Sequence, residues 1–271
     1  MGVIRYNLSS MGRRFAAADC IIVSIPKSGR TWLRVLLSAY CCRIAEVPFA
    51  LDPRNIPPHI PYLFEYTHDL WEHTQSKSIK DKLRNKFLIP AAVAGLKPIL
   101  LMARDPRDVI VSLYMQKAKR SRSYQGSILE MIESPTDGVD RMINVMNDWL
   151  DEWGGSRRFM MIRYEDLRKN PHVVFRDVLA FFGFANIDEE AINASVEFAD
   201  FNNMKKMEAN GAFDTKILRP GDASDNESFK VRRGLVGGYR DSLGARELEI
   251  VEAALARLNP AYGYQAAIRP G

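Results

Sequence analysis

Lys27-Ser28-Gly29-Arg30-Thr31 gathers a cation, two hydroxyls, a flexible glycine and a guanidinium into five consecutive residues, behind Pro26 and ahead of Trp32. The apolar run Cys20-Ile21-Ile22-Val23 precedes them. Leu33, Val35, Leu36, Leu37 and Tyr40 follow at helical spacing, so the group reads as a turn from a buried strand into a helix. Such a turn aims free backbone N–H groups and the positive end of the helix dipole at whatever lies above it, which makes it an anion site. Lys27 adds a full charge, Ser28 and Thr31 add hydroxyl donors, and Gly29 lets the backbone approach a ligand closely. The ATP-type pattern Gly-x-x-x-x-Gly-Lys-[Ser/Thr] is not met, because a second glycine is missing and the lysine comes early.

Further residues suited to an anionic ligand recur along the chain. Arg104-Asp105-Pro106-Arg107-Asp108 follows the apolar run Ile99 to Ala103, at a strand end where ligands of open α/β sheets bind. Ser112 lies about two helical turns beyond Arg104, so a guanidinium fork and a hydroxyl can meet on one phosphate. Tyr164, after the run Phe159 to Ile162, and Trp32 and Phe201 carry aromatic rings suited either to core packing or to stacking on a ligand. Farther on, Phe229-Lys230-Val231-Arg232-Arg233-Gly234 is basic and ends in glycine. For a general base, an imidazole with a reference pKa near 6.5 is suited to taking a proton from a hydroxyl at neutral pH. His68, in Tyr66-Thr67-His68-Asp69, is a candidate, as are His59 and His73.

Taken in order, these segments resemble the cytosolic-type sulfotransferases, enzymes that use 3′-phosphoadenosine 5′-phosphosulfate. The resemblance implies that Lys27, Ser28, Gly29, Arg30 and Thr31 form the 5′-phosphosulfate loop. It places Arg104 and Ser112 on the 3′-phosphate, Tyr164 on adenine, and Trp32 and Phe201 on either side of the base. Arg232, Arg233 and Gly234 then belong to a loop that returns to the 3′-phosphate. His68 is implied as the catalytic base and Lys27 as the residue that meets the leaving group. Three departures stand out: Tyr66 occupies the place of a family lysine, Arg233 replaces a lysine, and Gly237-Gly238-Tyr239 stands where Gly-Asp-Trp is frequent.

The elements expected to position these residues come from patterning. The three apolar runs, taken as Cys20 to Ile25, Ile99 to Ala103 and Phe159 to Ile162, read as strands buried on both faces. Each leads to a helix: Asp105 caps and Pro106 opens the second, while Asn170-Pro171 opens and Gly183 closes the third. Met142, Val145, Met146, Trp149 and Trp153 form an apolar stripe, as do Leu248, Val251, Leu255 and Leu258. The alternation predicts an α/β fold with a central parallel sheet flanked by helices on both faces, in one domain spanning 1–271. Phe49 to Leu70 and Asn210 to Ser228 lack periodicity and read as binding loops.

The chain has 271 residues, 46% hydrophobic and 26% charged, with a formal net charge of +5 that suits an anionic ligand. No basic stripe interleaved with stacking aromatics suggests nucleic acid. Three cysteines with two adjacent make no disulfide framework, and four scattered histidines give no zinc spacing, so no metal is expected. Without a signal-like or membrane-spanning stretch, a cytoplasmic protein is expected. The basic run Lys117, Lys119, Arg120 and Arg122 reads as a solvated face. The family's dimerisation pattern is absent around Arg240 to Glu249, which leaves the oligomeric state open.

The acceptor is expected to be a hydroxyl compound, small molecule or glycan. Phe49, Tyr62, Phe64, Tyr66 and Trp71 are candidate walls for it, and His59, Glu65 and Asp69 lean the reading toward a polar one. Two other readings remain: a P-loop nucleotide kinase, which would demand Mg²⁺, and a non-catalytic adenosine-bisphosphate-binding module.

Overall fold

Four short strands form one parallel sheet in the order β2-β1-β3-β4, with β1 Cys20–Val23, β2 Phe64–Thr67, β3 Ile99–Ala103 and β4 Phe159–Arg163. The computed structural model describes residues 5–51, 62–212, 216–222, 225, 228–231 and 233–264. The helices in chain order are α1 Ser10–Ala17, α2 Arg30–Ile44, α3 Leu70–Gln75, α4 Ile79–Leu83, α5 Ala91–Ala94, α6 Pro106–Met115 and α7 Ile128–Ile132. They continue as α8 Val139–Trp153, α9 Tyr164–Lys169, α10 Pro171–Phe181, α11 Glu189–Phe198, α12 Phe201–Ala209 and α13 Ala245–Leu255. None of them is long and apolar enough to cross a membrane, a statement that covers the described residues.

Alternation along the strands divides the core in two. Ile21, Val23, Ile99, Leu101 and Ala103 face α3, α6, α7, α8 and α13, through Trp71, Val109, Met131, Trp149 and Val251. Cys20, Ile22, Leu100 and Met102 face α2, α9, α10 and α11, through Leu36, Leu167, Phe175 and Ile192. The expected central parallel sheet with helices on both faces is therefore present. The stripe on α8 and Val251, Leu255 and Leu258 are buried core, as their spacing predicts. Asp105 caps α6, its carboxylate accepting the Arg107 N–H at 2.9 Å, and Pro106 opens that helix.

One strand escapes the sequence reading. β2 lies inside the segment expected to be irregular, and it pairs along the edge of β1 with Val23 opposite Thr67. Glu65 interrupts its apolar character. The fold accommodates that carboxylate by pairing it with Arg14 of α1, whose Nε and Nη2 donate at 2.9 and 2.6 Å. β1 is also shorter than expected, ending at Val23 before the turn to α2. Because β1 feeds β2 on one side and pairs with β3 on the other, its carboxyl end is a switch point, where a crevice opens above the sheet.

Candidate functional site

A cleft of about 260 Å³ opens at that switch point. Its walls bring together Lys27, Gly29, Arg30, Thr31, Trp32, His68, Arg104, Ser112, Tyr164, Phe201, Arg233 and Gly234, residues scattered over most of the chain. Two expected members are not in the wall. Ser28 is fully buried beneath the loop, its hydroxyl without a hydrogen-bond partner among the described residues. Arg232 lies outside the described residues, as does His59.

The loop between β1 and α2 is shaped by two left-handed residues, Lys27 at φ 73° and Gly29 at φ 93°. A side chain at position 29 would come within 2.5 Å of the Tyr164 ring and 2.8 Å of Met102, so only glycine fits that approach. Gly29 is also the N-cap of α2, whose N-terminus therefore faces the cleft. Lys27 Nζ donates to Gln116 Oε1 at 2.7 Å. Burial, and after it the charges of Lys230, Arg120 and Arg104, hold its ammonium well below the usual lysine range.

Arg104 ties two walls together, donating to the Lys27 carbonyl at 3.2 Å and the Leu235 carbonyl at 3.0 Å, while its guanidinium lies 4.4 Å from the Tyr164 ring centre. Tyr164 meets Trp32 edge-on at 5.7 Å, and the Trp32 indole N–H donates to the Ala199 carbonyl at 2.9 Å. Across the cleft, Gly234 presses so closely on Phe201 that a Cβ there would sit 2.5 Å from the ring.

His68 follows the last residue of β2. Its Nδ1 is 2.6 Å from the Ser24 carbonyl and its Nε2 is 2.8 Å from Arg30 Nη2. Burial, then the Arg30 charge, pushes the imidazole well below the ordinary histidine range, so it is neutral at pH 7. The competitor His73, on α3, does not line the cleft.

Several wall residues were not singled out in the sequence. Gln116 begins a π-helical turn, Gln116–Arg120, at the end of α6; such turns recur at functional sites. Lys230 stood in a quoted segment, but its neighbours drew the attention. Its ammonium donates to the Ile217 carbonyl at 3.0 Å, and burial and nearby arginines push it down to about 7. Glu208, fully buried on α12, accepts the backbone N–H groups of Lys230 and Val231 at 2.7 and 2.8 Å. Asp108 accepts those of Gly237 and Tyr239 at 2.8 and 2.9 Å. Nothing in local sequence reveals either carboxylate as an anchor.

The aromatic segment around β2 departs from expectation. Phe64 and Trp71 are core residues, Tyr62 stacks on Phe184 at 3.8 Å, and Tyr66 lies beneath the Arg34 guanidinium at 4.0 Å. Phe49 packs on Phe198 at 4.6 Å. Glu65 and Asp69 are likewise buried, each paired with an arginine, so they do not favour a polar acceptor. The run after α6 is also less solvated than expected: Lys117 pairs with Asp137 at 2.6 Å, and Arg120 holds the Arg219 carbonyl.

The arrangement is one-sided in charge. Among the described residues, Lys27, Arg30, Arg104, Arg168, Lys230 and Arg233 face the cleft against a single carboxylate, Asp108, which accepts backbone N–H groups and pairs with Arg104 at 3.7 Å. Arg30 Nη1 and Arg104 Nε are buried without partners among the described residues. Such a cavity suits a polyanion with a flat base.

Comparison with known proteins agrees. Residues 17–258 match the model of the sulfotransferase domain. Cytosolic sulfotransferase 16 of Arabidopsis thaliana is 26% identical over 244 residues, covering 83% of this chain and 71% of its own. Cytosolic sulfotransferase 7 of the same plant is 28% identical over 264 residues, covering 86% and 76%. Among solved structures, retinol dehydratase in complex with androsterone and the inactive cofactor PAP superposes with a TM-score of 0.64 at 17% identity, over 88% of this chain and 79% of its own. A mouse sulfotransferase complexed with PAP gives 0.60 at 16% identity, over 92% and 90%. The chain thus belongs to the sulfotransferase family and is a sulfotransferase enzyme.

Proposed function

We propose that the enzyme moves a sulfuryl group from 3′-phosphoadenosine 5′-phosphosulfate to a hydroxyl of a small-molecule or saccharide acceptor, with His68 as base. The observation that carries this reading is the juxtaposition, in one cleft, of six cations, three aromatic faces and a neutral imidazole. The unpartnered Ser28 hydroxyl, Arg30 Nη1 and Arg104 Nε fit the oxygens of a bound nucleotide. When bound, the donor supplies the sulfuryl group and a leaving phosphate. Gly29, Arg30, Thr31 and the start of α2 hold the 5′-phosphate, with Ser28 beneath them. Arg104, Ser112, Arg233 and Gly234, with Arg232 outside the described residues, hold the 3′-phosphate, and Trp32, Tyr164 and Phe201 flank adenine.

His68 Nε2 takes the proton of the acceptor hydroxyl as that oxygen bonds to sulfur. Lys27 meets the charge that gathers on the 5′-phosphate oxygen as the old sulfur–oxygen bond breaks, and the electron pair stays with adenosine 3′,5′-bisphosphate. Lys230, on the facing wall, adds a second ammonium.

Adenosine 3′,5′-bisphosphate at about a hundredfold its Kd is expected to raise the melting temperature by roughly 5–10 °C. AMP and ATP, which lack a 3′-phosphate, should raise it far less. Equal shifts would overturn the assignment of Arg104 and Ser112. Transfer should also survive a metal chelator, whereas strict Mg²⁺ dependence with ATP as donor would favour the kinase reading.

Nucleotide binding should take up protons. Lys230, near 7, is largely neutral at pH 8, and a bound oxyanion favours the charged form of Lys230 and of the depressed Lys27. Calorimetry at pH 8 in buffers of different ionisation enthalpy should show uptake, and the part Lys230 contributes should shrink as pH falls below about 6, where Lys230 already carries its proton. Lys230→Met should reduce it; buffer-independent enthalpies would contradict the lysine environment described here.

A further inference from the structure

Arg30 opens α2 and reaches the base directly: its Nη2 lies 2.8 Å from His68 Nε2. The other ring nitrogen lies 2.6 Å from the Ser24 carbonyl. A carbonyl only accepts and a guanidinium only donates, so the ring is the Nδ1–H tautomer and an Arg30 N–H fills the Nε2 lone pair. That is the lone pair on which the acceptor's proton must land, so in this arrangement the base is blocked.

The block is held weakly. Arg30 Nη1 is buried with no partner among the described residues, and no described carboxylate forms an ion pair with the guanidinium. A buried guanidinium held by one neutral acceptor, with Glu72 and Glu65 acting only at a distance, is poorly compensated. It gains much more from a phosphate oxyanion, which it can hold with two parallel N–H groups. Arg30 shares its wall of the cleft with Lys27, Gly29 and Thr31, where such an anion is drawn.

We propose that Arg30 keeps the base closed until an anionic group at the loop draws its guanidinium off His68 Nε2, so that donor binding frees the base for the acceptor. Arg30 is thus a positioning residue as well as a phosphate ligand. The inference rests on the loop and base assigned above. It makes the order of events a property of the site: donor first, then acceptor.

The groups acting on His68 come from every neighbouring element. Arg30 belongs to α2, the Ser24 carbonyl to the end of β1, and Lys230 to the returning loop. Glu72 of α3, whose carboxyl burial pushes up, lies near the His68 backbone N–H, which favours its charged form. Asp69, the next residue, is committed to Arg5, Ile89 and Trp149.

The test is the titration of the His68 imidazole, followed by nuclear magnetic resonance of the full chain with ¹⁵N-labelled histidine. The probe is adenosine 3′,5′-bisphosphate. In wild type, saturating probe should raise the His68 pKa by about one pH unit and remove the signature of a donor at Nε2. In Arg30→Met the free protein should already titrate higher, and the probe should add less than half the wild-type shift. Equal probe-induced shifts in both proteins, or a free-protein pKa unmoved by the substitution, overturn the inference. The wild-type spectrum decides alone if the variant does not fold: a donor signature at Nε2 that persists in the complex overturns it too. A wild type that does not bind the probe overturns the loop assignment instead.

Discussion

Replacing His68 with alanine is expected to lower the turnover of sulfuryl transfer by about 10²- to 10⁴-fold, the usual contribution of a positioned base, while affinity for adenosine 3′,5′-bisphosphate stays within about threefold. The split follows from placement. His68 ends the edge strand β2 and is fixed by the Ser24 carbonyl, whereas the nucleotide is assigned to the β1–α2 loop and the walls beyond it. Retained turnover would remove His68 from the mechanism. The same variant has a second readout in stability. The folded chain holds this imidazole below the value of about 6.5 it has when unfolded, so its contribution is complete above that pH and is lost as pH falls. His68→Ala should therefore flatten the acid side of the stability profile, and an unchanged slope between pH 7 and pH 5 would contradict the neutral buried ring.

Asp69→Ala should be the most destabilising single change near the site, by about 3–5 kcal/mol. The Asp69 carboxylate is wholly buried and accepts from Arg5 Nη1 at 2.8 and 3.0 Å, from the Ile89 N–H at 2.8 Å and from the Trp149 indole at 2.9 Å. Arg5 is itself buried; Glu152, its other partner, cannot compensate for the lost carboxylate and the two stranded N–H groups. In a chain of this length the melting temperature should fall by on the order of 10 °C. Asp69→Asn, which keeps the acceptor oxygen and loses the charge, should fall between the two. Because Asp69 sits at φ 44° directly after the base, the alanine variant should also lose activity before it melts. Denaturant unfolding with equal midpoints for wild type and Asp69→Ala would show that the network carries no stability.

Why some of this was legible in the sequence and some was not has a physical basis. β1 and β3 are buried on both faces, so their composition alone marks them, whereas β4 is an edge strand buried only at Ile162, and its apolar run overstates its burial. β2 is only four residues long and contains Glu65, whose partner Arg14 stands 51 positions earlier, a separation no local pattern reports. The cleft residues that were legible, such as Lys27, Gly29 and Arg104, sit in short segments whose order along the chain carries the resemblance. Those that were not, Gln116, Lys230 and Asp108, and Glu208 behind them, act through partners that lie far away in sequence. Trp71 and Phe64 show the converse: an aromatic in a proline-rich stretch looks available for a ligand until the sheet buries it.

The two carboxylates that fasten the returning segment also bear on turnover. Glu208 and Asp108 hold it by four backbone N–H groups, at Lys230, Val231, Gly237 and Tyr239, while β1 and β2 are fastened along their length by a parallel ladder. Opening free energies within one molecule follow such differences, from nearly zero at lightly held segments to the full unfolding value in the sheet. A segment held in this way is expected to open locally before the sheet does. Phe201 and Glu208 stand at opposite ends of the single helix α12, so movement of that helix loosens the aromatic wall and the latch together. Under the proposed function, departure of the spent nucleotide is expected to depend on this latch.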